Sequence, residues 1–220
     1  GNKMTGQIVF DLEKKDNFSV DDFIISETNK EVASTLENMD QLLNRCAMVY
    51  GPKKSGKTHI AHIWQKRYEA NYSDLSDVKF KFDFDASKNN VIDNFHLLEH
   101  DKEELFFHFY NNSVNQKKSI LITIDNTSSK SIQLPDLKSR INSFHSVEIY
   151  QPDDHLVKVL LFKYFSIQQI KIDTGVVEFL NKRIRRNYED IYFTLKKINK
   201  LSLEHKLKIT KPFLNKFLTF

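Results

Sequence analysis

The sequence is poor in cysteine, glycine and proline, and each shortage excludes a class of protein. Its 220 residues include one cysteine, five glycines and four prolines. A single cysteine, Cys46, rules out an intramolecular disulfide framework, and so little glycine and proline excludes collagen-like and low-complexity chains. No apolar run reaches the ~18 residues that a transmembrane helix needs. Residues 1–18 carry acidic side chains and no apolar signal core, so we expect a cytoplasmic protein that does not contact a membrane.

The most informative segment that is present is Gly-Pro-Lys-Lys-Ser-Gly-Lys-Thr at residues 51–58, which matches the G-x-x-x-x-G-K-[ST] phosphate-binding loop. An apolar run typical of a buried parallel strand precedes it, and apolar residues at helical spacing follow it. In such a loop, backbone N–H groups surround the nucleotide phosphates, the lysine reaches the β/γ-phosphates and the hydroxyl ligates Mg²⁺. The candidate nucleotide-binding residues are Gly51, Pro52, Lys53, Lys54, Ser55, Gly56, Lys57 and Thr58.

Strands and helices alternate up to about residue 150, which predicts an α/β fold with a parallel sheet and helices on both faces. The predicted strands are 46–50, 78–84, 91–94, 119–124 and 147–150. After residue 153 the apolar spacing is helical and predicts four helices, of which the last is capped by Thr210. We therefore predict an N-terminal arm over 1–17, a nucleotide-binding α/β subdomain over 18–151 and an all-helical lid over 152–220.

Two aspartates that follow predicted strands are candidates for the metal-side acid of a phosphate-loop ATPase. We assign Asp93 to Mg²⁺, through water, and Asp125 to a position that senses the γ-phosphate; the reverse assignment stays open. Hydrolysis also needs a group that activates the attacking water. The residue after Asp93 is Asn94, whose amide cannot accept a proton, so we expect intrinsic ATP hydrolysis to be weak or absent.

These motifs resemble the AAA+ domain of the bacterial replication initiator DnaA, and the Hda branch of that family more closely. The matching segments are the phosphate-binding loop, Ile92-Asp93-Asn94, residues 121–125, the Leu-Pro-Asp-Leu-Lys-Ser-Arg block at 134–140, and residues 179–183 and 208–213. The resemblance covers about residues 18–217. It implies an AAA+ P-loop fold with a RecA-like parallel sheet and a helical lid, ADP or ATP with Mg as cofactors, and DnaA as a partner. Because the chain stops where DnaA continues into its DNA-binding domain, we expect no direct sequence-specific DNA binding.

The resemblance also implies two roles outside the nucleotide site itself. Arg140 takes the place of an arginine finger, a cation that stabilises γ-phosphate charge across a subunit boundary; a surface ion pair is the alternative. The arm resembles the peptide by which Hda binds the sliding clamp of the DNA polymerase, with Gln7, Phe10 and Leu12 as its anchors. A plain terminal strand or a disordered tail is the alternative there. Residues 23–29 fall where the family's adenine-contacting linker lies, or simply lead into a helix.

One departure from the family concerns the lid arginine that contacts the nucleotide. An ungapped match places Glu189 there, and an acid at that place would repel phosphates. Arg185 and Arg186 lie about one helical turn earlier and are candidates to replace it. We assign the role to Arg186.

Three functional hypotheses result. The favoured one is a regulator of replication initiation that binds adenine nucleotide and the sliding clamp, presents Arg140 to ATP held by DnaA, and is compatible with a homo-oligomer. A nucleic-acid-binding adaptor or loader is the second, because residues 151–220 hold 14 Lys/Arg against 7 Asp/Glu and the rest 19 against 22. No aromatic platform is expected within that basic run, which counts against it. The third is an AAA+ scaffold that needs no nucleotide. The basic lid residues are Lys182, Arg183, Arg185, Arg186, Lys196, Lys197 and Lys200.

Overall fold

A computed structural model of the chain describes residues 30–126 and 131–220. These residues divide into an α/β unit, 30–150, and a helical unit, 151–220. The proposed clamp anchors Gln7, Phe10 and Leu12 and the proposed adenine linker at 23–29 lie outside the described residues.

The α/β unit is a parallel sheet whose strands are joined by helices. In chain order its elements are α1 (Lys30–Glu37), β1 (Cys46–Gly51), α2 (Lys57–Arg67), β2 (Asn71–Asp74), β3 (Asn90–Asp93), α3 (Glu103–Asn115), β4 (Ile120–Asp125), α4 (Pro135–Asn142) and β5 (His145–Glu148). The strands follow the order β2-β3-β4-β1-β5, and every pairing among them is parallel. Short 3₁₀ turns lie at Met39–Gln41, Leu43–Arg45, Phe95–Leu97 and His100–Lys102. The predicted parallel α/β sheet is therefore confirmed.

The core of this unit lies between the central strands and α3. Strands β1, β3 and β4 are almost wholly buried because a parallel sheet has helices on its faces. Phe106 and Phe109 of α3 form part of an aromatic cluster at this core and both contact the ring of Phe84. A rigid central sheet of this kind fixes the positions of the residues at its carboxyl edge.

The predicted strand at 78–84 is wrong. Its residues do alternate between half-buried and exposed, with Phe80, Phe82 and Phe84 turned inward, but they pair with no strand of the described chain. The edge strand is instead β2, the polar segment Asn-Tyr-Ser-Asp, which pairs with β3. The alternation correctly indicated which side chains face the core, but the hydrogen bonds of the sheet edge are made by β2 instead.

The second unit consists of helices α5 (Asp154–Ile167), α6 (Thr174–Arg183), α7 (Tyr188–His205) and α8 (Lys211–Phe217). Each begins at a side-chain cap: Asp153, Asp173, Asn187 and Thr210 accept hydrogen bonds from main-chain N–H groups of the first turn. The predicted cap at Thr210 is thereby confirmed, with a bond of 3.2 Å from the N–H of Phe213. Among the described helices, none is both long and apolar enough to cross a bilayer.

Candidate nucleotide-binding site

The phosphate-binding loop joins β1 to α2 and depends on its two glycines. Gly56 has a φ of 98°, in the left-handed region that other residues enter only with strain. Gly51 is confined by its neighbours, since a Cβ there would lie 2.8 Å from the carbonyl oxygen of Ile149 and 3.0 Å from Oγ of Ser55. The loop therefore requires glycine at both motif positions, for two different reasons.

Lys57 is the cation of the loop and is only 7% exposed. Its ammonium donates to the carbonyl oxygens of Gly51 at 2.8 Å and Pro52 at 2.6 Å, and to Oγ of Ser55 at 3.3 Å. Burial lowers the pKa of Lys57, while the carboxylates of Asp125 and Asp93 favour its charged form. The loop thus folds around a desolvated positive charge, the feature that a phosphate-binding site needs.

The carboxyl edge of the sheet brings the predicted acids to this loop. Gly51 is in register with Asp125 on β4, and Asp93 ends the next strand, β3. Both aspartates are buried, at 5% and 1% exposure. Because parallel strands end at the same edge, residues far apart in sequence meet beside the loop, at the carboxyl ends of the strands where open α/β sheets bind ligands.

Asp93 is the centre of a hydroxyl network. Its Oδ2 accepts hydrogen bonds from Oγ1 of Thr58 at 2.8 Å and from the hydroxyl of Tyr72 at 2.7 Å. Its Oδ1 accepts from Oγ1 of Thr123. Thr58 and Asp93, the two residues expected on the metal side, are therefore in direct contact. Burial and the bond to Asp93 raise the pKa of Tyr72, so its hydroxyl stays a proton donor.

Asn94, the residue that follows Asp93, has a left-handed backbone, with a φ of 58°. Its main-chain N–H donates to Oγ1 of Thr123 at 2.9 Å, and its side-chain amide donates to Oδ1 of Asp74 at 2.8 Å. Burial raises the pKa of Asp74, but the hydrogen bonds from Asn94 and Ser76 outweigh it and lower the pKa overall. This carboxylate is consequently a poor proton acceptor near neutral pH.

His96 supports the proposed sensor position. The main-chain N–H of Asp125 donates to Nδ1 of His96 at 3.1 Å, which fixes the ring as an acceptor at that nitrogen. Burial lowers the pKa of His96; the carboxylate of Asp125 opposes this, and the nearby ammonium of Lys57 adds to it. The neutral form of the imidazole is the one that can accept the N–H of Asp125 at Nδ1, because both ring nitrogens of a charged histidine are donors.

Arg140 lies on the exposed side of α4, away from the buried residues Leu137 and Ile141 of the same helix. It forms no ion pair with any residue that the structure describes. The surface ion pair that was the alternative to a finger is thus absent from the described part of the chain.

The lid arginine assigned to the nucleotide has contacts within its own unit. Nε of Arg186 donates to Oδ1 of Asp154 at 2.7 Å, and the guanidinium also donates to the carbonyl oxygens of Ile184 and Asn181. Glu189 lies in the first turn of α7 and is half-buried. The assignment of Arg186 to the nucleotide stays a prediction.

The residues present suit a magnesium nucleotide. Thr58 and Asp93 offer the hydroxyl and carboxylate oxygens that Mg²⁺ prefers, and they lie 2.8 Å apart, oxygen to oxygen. The loop supplies N–H groups at the start of α2 and a buried ammonium. Sequence reasoning missed Tyr72 and His96, whose roles arise from contacts across the sheet edge and leave no mark in a motif.

Comparisons with known proteins agree with this architecture. A family model described as "Hda, lid domain" matches residues 157–218. An uncharacterized protein of Haemophilus influenzae is 26% identical, over 98% of this chain and 99% of its own length. The chromosomal replication initiator protein DnaA of Ruegeria pomeroyi is also 26% identical, over 77% of this chain but only 43% of its own length. The chain thus spans less than half of that DnaA.

Solved structures match the fold at lower identity. Domain III of the Thermotoga maritima replication initiation protein DnaA superposes with a TM-score of 0.67 at 16% identity, over 92% of this chain and 97% of that one. The AMPPCP-bound DnaA from Aquifex aeolicus gives a TM-score of 0.65 at 22% identity, over 86% of this chain and 68% of that one.

Proposed function

We propose that this chain, an AAA+ protein related to Hda and DnaA, regulates replication initiation by promoting hydrolysis of ATP held by DnaA. Its own nucleotide site serves to organise the molecule. The observation that carries the proposal is the pairing of a complete phosphate-binding loop with an amide, Asn94, where hydrolysis in cis needs a base.

The loop residues hold an adenine nucleotide in this proposal. The main-chain N–H groups of 51–58 and the ammonium of Lys57 contact the phosphates, and Thr58 and Asp93 hold Mg²⁺, the latter through water. When bound, Mg²⁺ neutralises phosphate charge. The AMPPCP in the Aquifex aeolicus DnaA structure supports an adenine nucleotide as the ligand. Asp125 senses the γ-phosphate from the end of β4, and Arg186 is the lid contact.

Arg140 acts in trans. An exposed guanidinium without an ionic partner in the described residues can enter the active site of a neighbouring subunit without first breaking an ion pair of its own. There it stabilises the charge that develops on the γ-phosphate of DnaA-bound ATP. Such a finger is worth ~10³–10⁵ in rate.

The arm places the regulator on DNA that has been replicated. Gln7, Phe10 and Leu12 would enter an apolar pocket of the sliding clamp as an extended peptide. Association with the clamp restricts the activity to DNA that carries a loaded clamp, which prevents re-initiation.

The test is hydrolysis of DnaA-bound ATP with this chain and clamp-loaded DNA, each component being omitted in turn. We expect hydrolysis to rise only when chain and clamp are both present. If hydrolysis rises without the clamp, stimulation does not depend on contact between the arm and the clamp. No rise in any combination contradicts the proposed function, while an ADP-dependent increase in melting temperature would still support the nucleotide site.

A second candidate, binding of single-stranded nucleic acid by the lid, gains from one observation. The expectation that the basic run lacks an aromatic platform stays a prediction, but Nζ of Lys196 lies 5.5 Å from the ring centroid of Tyr192, and Phe193 beside it on α7 is 54% exposed. Retention of an unstructured oligonucleotide that falls steeply with salt, and falls further in Phe193→Ala, would favour this candidate.

A further inference from the structure

Glu103 is a buried carboxylate outside the nucleotide site. It is the first residue of α3 and only 3% exposed. Carboxylates are almost never buried to this extent unless hydrogen-bonded or paired. Its partners therefore indicate what it does.

The carboxylate accepts hydrogen bonds from main-chain N–H groups of the segment that leads into another helix, α4. Oε1 accepts from the N–H of Gln133 at 2.7 Å, and Oε2 from the N–H of Leu134 at 3.4 Å. Nδ1 of His100, on the preceding turn, lies 3.5 Å from Oε1. Glu103 thus ties the segment that leads into α4 to the start of α3, across 30 residues of sequence.

The entrance of α4 has no cap of its own. Its N-cap position is Leu134, which has no polar side chain, and its first helical residue is Pro135, which has no N–H. In a capping box a glutamate of the same helix returns to the N–H of the N-cap residue. Glu103 makes that bond from another helix, and its charge is favourable at the positive end of α4.

The other end of α4 carries Arg140. The helix is eight residues long, and Leu137 and Ile141 bury its inner side at 0% and 5% exposure. With the inner side packed and the entrance tied to Glu103, the direction in which α4 presents the Arg140 side chain is fixed at two points.

We propose that Glu103 is a positioning residue for Arg140: it holds α4 at the angle from which the guanidinium reaches the nucleotide of a partner subunit. This inference rests on the proposed function. It adds a residue that touches neither nucleotide nor partner and acts only through the helix.

The test uses Glu103→Ala and Glu103→Gln, with Glu104→Ala and Glu104→Gln as matched controls, because Glu104 is the exposed neighbour on the same turn. Hydrogen exchange of the amides at 133 and 134 is measured first, since it needs no partner. We expect faster exchange in Glu103→Ala, partial protection in Glu103→Gln, which keeps one acceptor oxygen, and no change in either control.

Stimulated hydrolysis of DnaA-bound ATP is measured next. We expect Glu103→Ala to lower the maximal rate by about 10- to 100-fold, as for a misplaced catalytic group, with the half-saturating concentration unchanged and the glutamine variant in between. Unchanged exchange, or a full maximal rate in Glu103→Ala, overturns the inference. An equal loss of rate, ADP binding and melting temperature also overturns it, because that pattern is general destabilisation.

The two proposals fail in distinguishable ways. If the wild-type chain does not stimulate DnaA, the proposed function fails and the role assigned to Arg140 with it, whatever the exchange data show. If Arg140→Ala abolishes stimulation while Glu103→Ala retains it, only the inference on Glu103 fails. Should the alanine variant not fold, the glutamine variant decides both measurements.

Discussion

Replacing Lys57 by alanine should remove most of the affinity for ADP while leaving the fold in place. The ammonium is 7% exposed and is surrounded by the carbonyl oxygens of Gly51 and Pro52 at 2.8 and 2.6 Å. In the nucleotide complex we expect it to turn to the phosphates. A hydrogen bond to a charged group contributes about 1.5–3 kcal/mol, so its loss should weaken binding about 10- to 150-fold.

The effect can be stated as a change in ligand-induced stability. At an ADP concentration of about 100 Kd, binding stabilises the wild type by about 2.7 kcal/mol. With the affinity reduced as above, the same concentration stabilises Lys57→Ala by only about 0.3–1.4 kcal/mol. The rise in melting temperature on adding ADP should therefore fall to about half or less of the wild-type value.

Calorimetric titration of ADP with Mg²⁺ gives the affinity directly, and thermal unfolding with and without ADP checks it. Lys66→Ala is the matched control, because Lys66 is an exposed cation on the same helix, α2. It should bind ADP like the wild type. A Lys57→Ala variant that binds ADP as tightly as the wild type would refute the assignment of this loop as the nucleotide site.

Three further predictions concern other parts of the chain. Gly51→Ala should lower the free energy of unfolding by about 1–3 kcal/mol, since its Cβ would meet the main-chain oxygen of Ile149 at 2.8 Å. Gly175→Ala should cost less, because the nearest atom to its Cβ is Nζ of the flexible Lys211 side chain at 3.3 Å, and equal denaturation midpoints for the two variants would contradict this. Burial raises the pKa of Cys46 from 9.0 to about 12, so above pH 9 the unfolded chain loses a proton that the folded chain keeps. Between pH 8 and 10 the wild type should lose about 1.4 kcal/mol more stability than Cys46→Ala in urea denaturation, and parallel curves would be inconsistent with a buried thiol. Joint replacement of Gln7, Phe10 and Leu12 by alanine should abolish retention on immobilised clamp while ADP affinity stays unchanged; undiminished retention would place the clamp contact elsewhere.

The fold followed from the sequence where side chains are buried on both faces of the sheet. Strands β1, β3 and β4 were predicted within one residue at each end, because their apolar runs carry the signal of a central parallel strand. The edge strand β2 was missed, since Asn-Tyr-Ser-Asp has no apolar pattern and pairs on one side only. The alternating segment at 78–84 was mistaken for a strand, because alternation marks burial of one side and not a ladder.

The candidate site was predictable only where a motif carries it. The phosphate-binding loop and the two strand-end aspartates follow from local sequence and strand order. Tyr72 and His96 do not, because their partners lie 21 and 29 residues away and are selected by the packing at the sheet edge. Periodicity tells which side of an element faces the core; it does not tell which main-chain N–H a buried oxygen will meet there.

Single-turnover hydrolysis of ATP pre-bound to DnaA, in the presence of clamp-loaded DNA, tests the role of Arg140 as a finger when wild type, Arg140→Ala and Lys138→Ala are compared. Lys138 is an exposed cation on the same helix as Arg140, so its variant controls for the loss of charge. We expect wild type and Lys138→Ala to accelerate hydrolysis, and Arg140→Ala to lose the ~10³-fold or greater effect of a finger. Equal acceleration by Arg140→Ala and wild type would contradict it.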